Sequence, residues 1–142
     1  MKFYTLIAVP VLGVDFIACM LYTKNMDWTI EYYVTPEGRC PIKEFIDSFS
    51  VEGQAKYIFI TRLLQEYGIH VKEPYVKQIT GHKKLYELRI KDQSGISRIL
   101  YFAHTGKKFV LLHGFIKKTD KTPAKEIDIA EQRMKEYLSR EV

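Results

Sequence analysis

The 142-residue chain is poor in cysteine, and its two cysteines, Cys19 and Cys40, stand too far apart to form a Cys-x-x-Cys pair. A disulfide framework or a zinc site is therefore not expected, and this cysteine usage fits a reducing cytoplasm. The sequence also lacks a glycine-rich phosphate loop, a cluster of His, Cys and Asp ligands, and a Ser/His/Asp arrangement. Because these patterns are missing, we expect neither a nucleotide cofactor nor a metal.

Charged residues are nearly absent from positions 3–23, where Asp15 stands alone and Pro10 and Gly13 interrupt the middle. This stretch is long enough to span a bilayer, but a carboxylate near the bilayer centre costs about 2.5–3.5 kcal/mol. Three interpretations are open: a mis-called gene start with Met26 as the true first residue, a membrane anchor, or a segment packed on the domain. The chain therefore divides into an apolar N-terminal extension, residues 1–25, and one domain, residues 26–142. We predict a cytoplasmic protein, with membrane tethering through the extension as the alternative.

Positive charge is concentrated in one part of the domain. Residues 72–125 hold thirteen Lys and Arg against four Asp and Glu, whereas the rest of the chain holds nine against thirteen. A charge split this uneven within one small protein indicates a phosphate-rich partner.

Hydrophobic periodicity divides the domain into strands and helices. Apolar and polar residues alternate at 28–34, which predicts a strand, and Pro41 suits the first position of a helix. A second helix is predicted at 51–67, with Gly68 placed to end it.

After Pro74 the period changes from helical to two, which predicts strands at 76–80, 84–91, 96–104 and 108–117, the first of them short. A final helix follows, with Thr122 predicted as its N-cap and Pro123 at its first position. The predicted fold class is α+β, a small twisted antiparallel sheet with helices packed on it, in the order β-α-α-β-β-β-α.

Five runs carry a resemblance when they are taken in order and with their gaps: Leu-Tyr-Glu-Leu-Arg at 85–89, Ser-Arg-Ile-Leu-Tyr-Phe at 97–102, Leu-Leu-His-Gly-Phe-Ile-Lys-Lys-Thr at 111–119, Lys-Thr-Pro at 121–123 and Glu-Ile at 126–127. The chain resembles the RelE/HigB toxin superfamily over about residues 26–137, and it looks most like the phage-derived HigB-like branch. The resemblance implies a RelE-like fold and the toxin of a type II toxin–antitoxin system. Such a toxin is a ribosome-dependent mRNA endonuclease, or mRNA interferase, neutralised by a cognate antitoxin. In this branch the antitoxin is often a helix-turn-helix protein encoded alongside.

RNA cleavage without a metal requires a base for the 2′-hydroxyl, cations for the phosphate and an acid for the leaving 5′-oxygen. Arginine suits the phosphate because its planar fork meets two oxygens at once. Arg89 and Arg98 interrupt β-forming runs on adjacent predicted strands, and with the family likeness they are the first catalytic candidates. The alternative is that each arginine caps a sheet edge, or pairs with Glu87 or with a carboxylate of the last helix. Lys117 and Lys118 are the candidates for proton transfer, although neighbours on a strand face opposite sides.

Several other residues are candidates for contacts with RNA: Lys77, His82, Lys83, Lys84, Tyr86, Lys91 and Tyr101. The lysines would contact the backbone, and the tyrosines would stack on splayed bases. Packing in the core is the alternative for both tyrosines. His113 is a candidate general acid or base, with a core histidine held by one hydrogen bond as the alternative, because its run is so apolar. Apart from the nuclease, a non-catalytic nucleic-acid-binding module or degenerate phage regulator is the second hypothesis. A membrane-associated structural protein, based on residues 3–23 alone, is the third.

Overall fold

The computed structural model describes residues 27–141 of the chain. The predicted extension at 1–25 and its possible membrane segment at 3–23 lie outside the described residues. None of the helices between residues 27 and 141 has both the length and the apolar character needed to cross a bilayer.

The described residues form five strands and three α-helices, with a short 3-10 turn after the second helix. In chain order they are β1 (Thr29–Tyr32), α1 (Pro41–Asp47), α2 (Val51–Tyr67), the 3-10 turn (Gly68–His70), β2 (Val76–Gln78), β3 (Leu85–Asp92), β4 (Gly95–His104), β5 (Lys108–Lys117) and α3 (Ala124–Ser139). The predicted strands and the predicted second helix all form, with ends within two residues of the prediction.

The strands form one sheet in the order β1-β5-β4-β3-β2. β2 to β5 pair antiparallel, but β1 runs parallel to β5, with Thr29 opposite Lys108. The α+β class is confirmed, whereas the expectation of a purely antiparallel sheet is wrong, because the chain crosses the sheet through α1 and α2 before it returns. The short strand predicted at 76–80 forms as the edge strand β2, although the predicted order β-α-α-β-β-β-α did not count it.

The two faces of the sheet are covered by different helices. α1 and α2 lie on one face, over side chains such as Leu88, Ile99 and Leu111. α3 packs on the other face, against β4 and β5, where Ala130 joins a core that includes Leu100. The contacts of α3 centre on these two strands, so β2 and part of β3 are left for the cleft described below.

The ends of the helices follow from the sequence, with one exception. Pro41 is in the first turn of α1, the Ser50 hydroxyl accepts from the Gly53 amide at 3.0 Å to cap α2, and Gly68 ends α2 with a φ of 60°. Thr122 does not cap α3 as predicted, because Pro123 occupies the N-cap position and the Thr122 hydroxyl bonds elsewhere.

Candidate functional site

The predicted cationic residues of the central strands lie on the face of the sheet that α3 partly covers. Residues directly opposite each other on neighbouring strands share a face. Arg89 on β3 is opposite Arg98 on β4, and Lys77 on β2 is opposite Glu87 on β3. Lys117, the last residue of β5, is opposite a β4 residue two positions from Arg98. The register therefore places four cations and one carboxylate on the same side at one end of the sheet.

Glu87 is at the centre of this group, with only 1% of its surface exposed. Its Oε2 accepts a hydrogen bond from Arg98 Nη1 at 2.7 Å, and its Oε1 accepts one from the Thr122 hydroxyl at 3.0 Å. Arg89 Nε lies 3.6 Å from Oε2, close enough for an ion pair but too far for a hydrogen bond. A carboxylate this deeply buried requires such partners, because an unpaired charge in the interior is very costly.

The two arginines differ in how far solvent reaches them. Arg98 is 5% exposed and sits behind the surface, while a quarter of the Arg89 side chain is exposed. The Nε atoms of both arginines are buried without a hydrogen-bond partner in the described structure. The structure thus brings the two guanidinium groups together. It also pairs Arg98 with Glu87, which is the contact that the sequence analysis gave as the alternative to a catalytic role.

A cleft of about 360 Å³ opens beside Glu87, between β2 and the turn that precedes α3, and Arg89 and Arg98 are not among the residues that line it. Its walls include three lysines, Lys77, Lys117 and Lys121, and the carboxylates Glu87 and Asp120. Apolar side chains, Ile79 and Ile127, line another part of it. A cleft with cationic walls and an apolar patch can hold an anionic group joined to a flat, less polar one.

The pKa of Lys117 lies below its ordinary value, first because the amine is partly removed from water. Arg98, Arg89 and Lys77 lower it further by like-charge repulsion, and Glu87 opposes them. Its Nζ donates a hydrogen bond to the carbonyl of Asp120. A lysine with a depressed pKa has a larger neutral fraction near pH 7, which suits it to proton transfer.

Other predicted site residues are not brought into the cleft. Lys118 follows the end of β5, is exposed and does not line the cleft, and Lys83, Lys84 and Lys91 are also exposed on the surface. His82 is half-buried, and its Nδ1 is bonded to Glu131 of α3, so it joins the helix to the turn before β3.

Tyr86 and Tyr101 lie on the opposite face of the sheet, under α1 and α2. Their rings stack at 5.6 Å between centroids, and Tyr101 is 1% exposed. Burial raises the pKa of the Tyr101 phenol. Tyr101 is too deeply buried to stack on an RNA base, so packing is its role. Tyr86 is half-buried on the face away from the cleft, where its predicted contact with RNA stays untested.

His113 is held between β5 and α3. Its Nε2 is bonded to Glu126, and its Nδ1 lies 3.4 Å from Arg133 Nη1, which donates toward it. Burial is the main reason that the pKa of His113 falls below its ordinary value. Both ring nitrogens of His113 therefore have hydrogen-bond partners, and the residue packs in the core, as its apolar run in the sequence suggested. Between residues 27 and 141, no group of three or more His, Cys, Asp or Glu is arranged to hold a metal.

Two residues of the site were not among the predicted ones, Glu87 and Thr122. Glu87 carries a signal in the sequence, because it shares one side of a predicted strand with Leu85 and Arg89 and could therefore pair with the arginines. An acidic residue at such a position is buried only when it is paired. Thr122 gives no comparable signal, since its contact with Glu87 depends on how the turn folds back.

A family model described as phage-derived protein Gp49-like (DUF891) matches residues 44–135, which is most of the chain. The chain belongs to the Gp49-like family. This is a toxin-like family of the RelE/HigB type. The matched region includes every cation of the cleft, Glu87 and Thr122, while β1 precedes it. A search of curated proteins finds no significant match.

Proposed function

We propose that this Gp49-like protein is the toxin of a type II toxin–antitoxin system and cuts mRNA on the ribosome without a metal. The observation that supports this most directly is that Lys77 and Lys117 line one open cleft, with Arg89 and Arg98 close enough behind it to lower the pKa of Lys117. Four cations around one buried carboxylate leave a net positive potential where a phosphate can sit. Membership of a toxin-like family supports the same function.

In the proposed reaction the 2′-hydroxyl of the RNA attacks the adjacent phosphorus, and the bond to the 5′-oxygen breaks. The products are a 2′,3′-cyclic phosphate and a 5′-hydroxyl end. Arg89, which is partly exposed, binds the phosphate oxygens, and Arg98 behind it adds positive charge as the phosphate becomes more negative. Lys117 transfers a proton at the attacking or the leaving oxygen, because partial burial and the neighbouring cations lower its pKa from the ordinary lysine value. Lys118 is the weaker candidate, because it stands outside the cleft.

The exposed lysines around the cleft contact the rest of the RNA. Lys77 lines the cleft, and Lys83, Lys84 and Lys91 are exposed along β3 and the turn before it. Contacts of this kind bind the backbone and carry no sequence choice. They predict an affinity for RNA that falls steeply as salt rises.

The experiment is to add the pure protein to ribosomes programmed with a defined mRNA and to map new 5′ ends by primer extension. The wild type should produce cuts, and Lys117→Ala should slow them by about 10²-fold to 10⁴-fold, the usual contribution of a proton-transfer group. Lys135→Ala is the matched control, because Lys135 is an exposed lysine of α3 away from the cleft. The proposal fails if the wild type makes no new ends, or if the two variants cut equally well.

A non-catalytic nucleic-acid-binding module is the second candidate, and the burial of Arg98 favours it. At 5% exposure and paired with Glu87, this arginine presents little of its guanidinium to a ligand. Such a module would bind mRNA or ribosomes with the same dependence on salt. Binding by the wild type without any new 5′ ends would select it over the nuclease.

We also propose a cognate antitoxin as the partner, because a toxin must be silenced in its host. Charge complementarity predicts that the antitoxin covers the cleft or its rim with acidic or apolar segments. Co-expression of the neighbouring open reading frame should restore growth and should give a complex that no longer binds RNA. If growth arrest persists although a stable complex forms, the partner binds at a site other than the cleft and its rim.

A further inference from the structure

Three separate elements meet at Glu87. β4 supplies Arg98 at 2.7 Å, β3 itself supplies Arg89 at 3.6 Å, and the turn before α3 supplies Thr122 at 3.0 Å. Both carboxylate oxygens are used, and the group is shielded from water because Glu87 and Arg98 are 1% and 5% exposed. Glu87 is therefore the contact that joins the strands of the site to the turn that follows Lys117.

We propose that Glu87 is the positioning residue of the cleft, holding Arg98, Arg89 and the turn before α3 in the arrangement that the reaction needs. The inference rests on the proposed function, since it assigns a role within that reaction. Glu87 touches no substrate in this role. It acts through the arginines, whose direction it sets, and through Thr122, which fixes the turn beside Lys117.

Because Glu87 is negatively charged, an experiment can distinguish a positioning role from a role in packing alone. A carboxylate among phosphate-binding cations weakens their attraction for RNA, so removing its charge should tighten RNA binding. The same change releases Arg98 and the turn from their fixed positions, and a misplacement of about 1 Å can cost 10²-fold in rate. A residue that serves only the stability of the fold would lower rate and affinity together. A positioning residue lowers the rate while affinity holds or rises.

Lys117 provides a second readout that needs no substrate. Glu87 is the group that raises the pKa of Lys117 against its burial and the neighbouring cations. Without the charge of Glu87, the Lys117 amine should lose its proton at a lower pH. The shift can be followed in the free protein by NMR of labelled lysine side chains, with Lys117→Arg identifying the signal.

The test compares Glu87→Gln with the wild type and with Glu31→Gln. Glu31 is the control at the β1 edge, because its carboxylate also has two partners, Lys108 of β5 at 3.0 Å and the Tyr137 hydroxyl of α3 at 3.0 Å, although it is more exposed than Glu87. We expect Glu87→Gln to lower kcat about 10²-fold, to leave the Kd for a short single-stranded RNA unchanged or lower, and to shift the Lys117 titration to lower pH. Glu31→Gln should change none of the three.

The proposal is overturned if Glu87→Gln keeps the wild-type kcat, if kcat and RNA affinity fall together, or if the Lys117 titration does not move. Should Glu87→Gln melt below the assay temperature, Thr122→Val takes its place, since it removes one hydrogen bond to Glu87 and leaves the charge paired. It should lower kcat with no loss of RNA affinity, and a wild-type kcat would overturn the proposal. If the wild type itself makes no cuts, the proposed function fails and the role of Glu87 in that reaction fails with it. If the wild type cuts and the Lys117 titration of Glu87→Gln does not move, the role of Glu87 fails alone.

Discussion

Replacement of Arg98 by methionine tests the buried ion pair at the base of the cleft. Arg98 and Glu87 are 5% and 1% exposed, and the distance between Nη1 and Oε2 is 2.7 Å. Without Arg98, the buried carboxylate keeps only the Thr122 hydroxyl at 3.0 Å and Arg89 at 3.6 Å. Breaking a buried pair by removing one partner costs about 3–5 kcal/mol. That is a large part of the about 5–15 kcal/mol by which a typical domain is stable.

The assay is urea unfolding at pH 7, monitored by circular dichroism. The double variant Glu87→Leu/Arg98→Met is measured in parallel. Because apolar residues of similar volume replace a buried pair at little or no cost, the double variant should be within about 1 kcal/mol of the wild type or more stable. Arg39→Met is the control for an exposed pair, since Arg39 and Glu44 are 68% and 57% exposed, and its free energy of unfolding should stay close to that of the wild type. A cost below about 1 kcal/mol for Arg98→Met alone would refute the account of the buried pair. A cost for the double variant equal to the sum of its two single changes would refute it as well.

The remaining predictions concern other parts of the molecule. Gly114→Ala should cost about 1–3 kcal/mol, because its new Cβ would lie 2.3 Å from the Phe45 ring, and Phe45→Leu in the same chain should recover part of that cost in urea unfolding. The lowered pKa of His113 means that the unfolded chain binds a proton below about pH 6.5, while the folded chain does not until a lower pH. Stability should therefore fall as pH drops from 7 to 5.5, and His113→Gln should reduce that slope by up to about 1.4 kcal/mol per pH unit; an unchanged slope would contradict the shift. Lys77→Ala should lower the salt slope of single-stranded RNA binding by about 0.7 in a fluorescence titration, whereas no change would remove Lys77 from the interface. Lys118→Ala should slow cleavage less than tenfold, and a loss equal to that of Lys117→Ala would show that both lysines act.

Much of the fold could be predicted from the sequence, because its signals are local. Pro41 and Gly68 mark helix ends by their backbone preferences, and the change of period after Pro74 marks the start of the meander. The parallel pairing of β1 with β5 could not be predicted in this way. The pairing depends on which edge of the sheet the chain reaches after α2, and the sequence of β1 carries no local pattern that predicts that edge.

The site was predictable where strand alternation decides it. The tight turn between β3 and β4 fixes their register, so Arg89 and Arg98 had to share a face. The same rule places Tyr86 and Tyr101 on the other face, since each is an odd number of positions from the arginine of its own strand. The burial of Glu87 was harder to foresee, because it depends on a turn that begins about thirty residues later in the chain.

The parallel pairing of β1 with β5 also determines where a label or linker can be joined to the domain without covering the cleft. β1 starts opposite Lys108, at the beginning of β5, whereas Lys117 closes the same strand nine residues further on. At about 3.3 Å per residue, Thr29 is roughly 30 Å along the sheet from Lys117. A fluorophore, an affinity handle or a surface linker joined ahead of Asp27 would leave the cleft open. The cleavage assays can therefore be run on immobilised protein.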